Sequence, residues 1–145
     1  MPISNEITAE GPLQTILKIT KENSWQIDGE TWKKTYTVIG TSSYWTIKIS
    51  SHIFGGTTKR QSIKIEKCVI HEFIDNLQRI ELSIPANFPS GCDGSFTELK
   101  IGDYFGGLKL RWWSVPPPCW EKIDALINEL ITLINNHKSN SNKRN

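Results

Sequence analysis

Cysteine, histidine and methionine are scarce in this chain, and their scarcity closes several routes to function. Cys68, Cys92 and Cys119 stand far apart in 145 residues. An odd number without close spacing builds neither a disulfide framework nor a Cys-x-x-Cys metal site, so reduced thiols are expected. Folding can still bring Cys92 and Cys119 together, because both belong to the C-terminal part. His52, His71 and His137 are scattered. His71-Glu72 starts like a zinc-binding His-Glu-x-x-His helix, but Asp75 stands where the second histidine is needed. No metal and no cofactor is expected.

The other reactive groupings are equally thin. Cys68 and His71 are three positions apart, within reach of each other on a helix. Nothing supplies the third, orienting group that a nucleophile and its base require. The pairs Gly55-Gly56 and Gly106-Gly107 lack the further glycines of a phosphate loop, and no Gly-Lys-Ser/Thr occurs. Asp93, Glu98 and Asp103 are near one another in sequence, but strand alternation and loop placement scatter them unless the loops converge into an acid–base pair. No catalytic residue is assigned.

Long apolar runs are also missing: nothing approaches the 18 or so residues of a membrane span. The first 11 residues carry no basic segment leading into an apolar stretch, so a secretory signal is not read there. A soluble, cytoplasmic protein without membrane contact is expected. Charge of one sign is lacking too. Seventeen basic and fifteen acidic residues leave +2. Lys138, Lys143 and Arg144 fall after His137, in a polar stretch without acids. The rest of the chain is nearly neutral, so the basic character is a weak pointer to nucleic acid. The division expected is a flexible N-terminus over 1–11, one domain over 12–136 and a disordered basic tail over 137–145.

What is present is a strand pattern followed by helical periodicity. Residues 15–20, 31–39 and 43–50 are rich in Thr, Ile, Val, Trp and Tyr and are separated by Asp28-Gly29 and Gly40-Thr41-Ser42. Trp45, Ile47 and Ile49 alternate with Tyr44, Thr46 and Lys48, which sends the first set inward and the second outward. Residues 52–61 read as an exposed loop. Val69, Ile70, Phe73, Ile74, Leu77 and Ile80 recur at helical spacing and predict a helix over 64–80. After a loop with Pro85 and Pro89, strands over 96–101 and 108–114 form a hairpin with Leu99, Ile101, Leu108, Leu110 and Trp112 inward. Pro116 to Pro118 lead into a second helix whose stripe runs from Trp120 to Ile134.

The order β-β-β-α-β-β-α predicts an α+β fold. It is a two-layer sandwich of about five mainly antiparallel strands, with two helices on one face. The other sheet face stays open. Trp112 and Trp113 are adjacent in a strand, so they leave opposite faces. Trp112 joins the core series, and Trp113 joins Arg111 and Lys109 outside. Tyr44, Lys48, Phe96 and Lys100 are its candidate neighbours in a binding surface, since aromatic and arginine side chains often anchor interfaces. In the purely structural alternative, Trp113 packs under Pro116 to Pro118 and Arg111 pairs with Glu98.

Asp93-Gly94, Glu98-Leu99, Gly102, Phe105, the run Arg111-Trp112-Trp113-Ser114, Pro116-Pro117 and Trp120 carry a resemblance. Together they are similar to the C-terminal part of a group of small bacterial α+β proteins with no assigned activity. The resemblance implies a bacterial origin and a hairpin-and-helix unit, and it lends no catalytic residue. The function expected first is therefore a non-catalytic cytosolic protein-interaction module, for instance an immunity protein against a bacterial toxin. Binding of single-stranded nucleic acid or an anionic ligand on the open sheet face is the alternative. An enzyme with an unrecognised site is the third reading.

Overall fold

The computed structural model describes residues 14–40, 45–88, 94–103 and 106–142. Six strands are present: β1 (Gln14–Asn23), β2 (Thr31–Gly40), β3 (Trp45–Ile53), β4 (Thr58–Ile65), β5 (Ser95–Asp103) and β6 (Gly106–Trp113). Helix α1 (Lys67–Gln78) follows β4, and a 3-10 turn, Pro118–Trp120, leads into α2 (Glu121–Asn142). The strands form one open sheet in the order β4-β3-β2-β1-β5-β6, antiparallel at every pairing. The α+β class holds; the expected five strands become six.

Register builds the core face directly. Ile47 pairs with Val38 and Ile63, Leu17 with Val38 and Ile101, and Leu99 with Ile19 and Leu110. Side chains alternate across a strand, so these rows share one face. Both helices bury their stripes in the same cluster, α1 through Ile70 and Phe73, α2 through Ile123, Ile127, Leu130 and Ile134. The α2 set recurs at four- and three-residue steps, as one face of a helix must.

The sequence expectation misses β4. Residues 52–61 are not a loop: β3 runs to Ile53, a tight turn follows, and Thr58 to Ile65 return along β3. The reason is β4's position at the sheet edge. Its sequence, TKRQSIKI, brings only Ile63 and Ile65 to the core. Edge strands are commonly charged, which blocks pairing with further chains and erases the hydrophobic signal. With β4 taking residues 58–65, α1 starts at Lys67 rather than near 64.

The second difference is at the C-terminal end. The expected tail begins at His137, but α2 continues to Asn142. Each residue added to an existing helix contributes a further hydrogen bond without a new nucleus, so polar residues can extend it. Lys138 comes near enough to Lys34 of β2 to add to the burial that holds the Lys34 ammonium below its ordinary pKa.

Two core tryptophans differ in one atom's fate. Trp112 Nε1 donates to Asp124 Oδ1 at 3.1 Å, whereas Trp45 Nε1 is buried without an acceptor among the described residues. An unpaired buried donor costs about 1–3 kcal/mol. Trp45→Phe removes that donor along with some packing, so its net effect on stability is expected to stay below about 1 kcal/mol. Trp112→Phe strips Asp124 Oδ1 of its donor and is expected to cost about 1–3 kcal/mol more. Denaturant unfolding of the two variants checks this; equal losses would refute it.

Candidate anion-binding face

Both helices pack on the core face, and the composition of the second face of the sheet follows from the same register, with Thr20, Thr35 and Ile39 on it buried among their neighbours. One row reads Lys109–Lys100–Lys18–Thr37–Lys48–Ser62 across all six strands. The next reads Arg111–Glu98–Thr20–Thr35–Ser50–Arg60, and a third Trp113–Phe96–Glu22–Lys33–His52–Thr58. Lys64 lies beyond the lysine row, opposite Thr46. The face thus holds eight lysines and arginines against two carboxylates, Glu22 and Glu98, in a chain whose total is only +2. The near-neutral body expected from composition is in fact segregated, with acidic excess elsewhere and cations on this side.

The lysine row is unusual in its contacts. Lys18 sits between Lys100 and Thr37, and Lys100 between Lys18 and Lys109. All three lysines are exposed. Like charges directly opposite one another destabilise a sheet by about 0.2–1 kcal/mol per pair. Glu98 pairs with two of the cations: Oε2 is 3.5 Å from Lys109 Nζ and 4.0 Å from Arg111 Nη1. Among the described residues no ion pair is seen at Lys18, Lys48 or Lys100. Strands lie about 4.8 Å apart, so Lys109 to Lys48 spans about 19 Å.

An aromatic corner closes the β6 end. Phe96 and Trp113 meet edge-to-face with centroids 4.3 Å apart, and the Arg111 guanidinium lies 4.1 Å over the Phe96 ring. Trp113 is half-buried and lies against Gly94, where a Cβ would come within 3.1 Å of the indole and 2.0 Å of Ser114 Oγ. Ser114 holds the corner through two bonds to Ser95: its N–H donates to the carbonyl at 2.6 Å, and its Oγ accepts the Ser95 N–H at 3.0 Å. Arg111 does pair with Glu98, and the indole still borders the cationic face. At the opposite end of this row Trp32 and His52 have ring centroids 6.4 Å apart, and His52 Nδ1 is 3.2 Å from Thr58 Oγ1.

Of the residues expected to form a binding surface, Lys48, Lys100 and Lys109 fall in one row, and Phe96, Arg111 and Trp113 in the adjoining corner. Tyr44 lies outside the described residues. Lys18, Lys33, Arg60 and His52 were not assigned in advance. Lys18 was within reach, because Leu17 and Ile19 pointing inward oblige it to point outward.

Among the described residues the remaining candidates do not assemble. Cys68 and His71 are exposed on α1; Cys68 Sγ is 3.4 Å from Glu66 Oε2. Cys119 is a free thiol, and Cys92 and Asp93 lie outside the described residues. Among the described residues no cluster of His, Cys, Asp and Glu could hold a metal, and no helix is long and apolar enough to cross a membrane. A polar network does lie under α2. Lys21 Nζ donates to Thr97 Oγ1 at 3.0 Å and Asn128 Oδ1 at 3.2 Å, and Asn128 Nδ2 donates to Asp124 Oδ2 at 3.1 Å. Burial pulls the Lys21 ammonium below its ordinary pKa, and the Asp124 charge works against that shift. These bonds join the helix to β1 and β5, a structural task.

No protein-family model and no curated protein matches the chain.

Proposed function

We propose that this protein binds single-stranded nucleic acid across the helix-free face of its sheet. The observation that carries the reading is the set of three directly opposed lysines, Lys109, Lys100 and Lys18. Their mutual repulsion weakens the sheet and is relieved by a polyanion. A row of cations at strand spacing suits a phosphate backbone. In the adjoining corner, Trp113 and the Arg111 plane offer surfaces on which bases stack. Lysine is depleted at protein–protein interfaces, so a face of lysine and threonine favours phosphate over a protein partner.

The corner of Trp113, Phe96 and Arg111 supports a second reading, the protein-interaction module, because aromatic and arginine residues dominate binding hot spots. Its partner would be acidic, as this face demands.

Titration with an oligothymidylate at low salt, followed by tryptophan fluorescence, tests the first reading. Saturable quenching is expected, with log K falling linearly as log salt rises. An equal-length duplex is expected to bind more weakly. No quenching at micromolar concentrations would remove nucleic acid as the ligand and leave the acidic protein partner.

A further inference from the structure

On the helix side of the sheet, a cavity of about 230 Å³ lies between the end of α1, the segment after it, the β5–β6 hairpin and the start of α2. Four leucine and isoleucine side chains of β5 and β6 form its floor, Leu77 and Ile123 its roof, and Ile80 and Leu82 a side wall. Gln78 is the single polar residue of the lining.

Protein interiors are close-packed, and voids larger than a water molecule are few. Water entering from the surface finds few partners here, because the lining offers one side-chain amide. Aliphatic linings favour apolar guests, benzene fitting in about 150 Å³. The space here is larger, and no ring or charge lines it. Leu82 and Leu108 are 48% and 40% exposed, so the cavity reaches the surface between them.

The wall beside that opening is also the least regular. Residues 81–88 form no helix or strand. They are tied to the 3-10 turn at Ser83, whose carbonyl accepts from Trp120 Nε1 at 3.1 Å and from Cys119 Sγ at 3.6 Å.

We propose that this cavity binds the aliphatic chain of a small amphiphile, with the tail over the hairpin and the polar head beside Gln78. The lining excludes a charged ligand from the interior, and the side opening leaves the head in water. This site is independent of the cationic face.

The test is titration of the full chain with 1-octanol, followed by methyl NMR and calorimetry. Saturable binding is expected, with shifts concentrated at Leu77, Leu99, Ile101 and Ile123. Leu82→Trp fills the opening and is expected to weaken binding at least tenfold without lowering the melting temperature. If that variant folds poorly, Leu108→Phe serves in its place. Absence of shifts at these methyls, undiminished binding by a folded filled variant, or tighter binding of benzene than of octanol would overturn the proposal.

Discussion

Replacing Lys18, Lys100 and Lys109 together by glutamine is expected to abolish most oligonucleotide binding while leaving the fold intact or more stable. Each phosphate contact to a single strand contributes about 0.7 to the slope of log K against log salt, so losing three flattens it by about 2. At low salt the affinity is expected to fall by about two orders of magnitude. Stability moves the other way. Lys109 faces Lys100 and Lys100 faces Lys18, and removing two like-charged pairs relieves about 0.2–1 kcal/mol each, offset in part by loss of the exposed Lys109–Glu98 ion pair. Lys59 belongs to the other face of β4, opposite Ser51. Lys59→Gln is therefore the control, with slope and melting temperature nearly unchanged. Unchanged affinity in the triple variant would end the nucleic-acid reading.

The opposite signs make this variant informative. A surface lysine kept only for solubility need not be set directly against two others, and a sheet selected for stability alone would place glutamate or threonine between them. Thr37 already separates Lys18 from Lys48 in the same row. The cost of the remaining repulsion is small against a domain's typical 5–15 kcal/mol, so it is tolerated where binding rewards it.

Much of the fold was legible because local patterns and burial agree. The α2 stripe and the alternation around Ile47 and Leu99 each name their inward residues without long-range information. The separation of Trp112 from Trp113 follows from adjacency in a strand. β4 was hidden because an edge strand with two core contacts has almost no hydrophobic period. The cationic face was hidden for a different reason. Its defining contact, Lys18 beside Lys100, joins positions 82 residues apart, and no local pattern specifies which strands become neighbours. Net charge averages both faces of a sheet, so a total of +2 conceals a strongly basic side and an acidic excess among the remaining residues.

Gly102→Ala is expected to be the most damaging single substitution in the β5–β6 hairpin. Gly102 has φ of +115°, a conformation that costs other residues about 1–3 kcal/mol. Space is lacking as well: a Cβ there would lie 2.3 Å from the Gly106 carbonyl oxygen and 2.6 Å from Gly107 Cα. Both obstacles are backbone atoms of the paired strand, so relief requires prising the hairpin apart. The combined loss is expected to exceed about 3 kcal/mol. Gly106→Ala is the matched control, since its Cβ meets nothing within 4 Å, and it is expected to stay within about 0.5 kcal/mol. The hairpin supplies Lys100, Lys109, Arg111 and Trp113 to one face and the cavity floor to the other. Gly102→Ala should therefore weaken oligonucleotide and octanol binding together, whereas Gly106→Ala should disturb neither. Denaturant unfolding and the two titrations measure this directly; similar stability losses for the two alanines would show that the hairpin accommodates a side chain at 102 and is not pinned by that close approach.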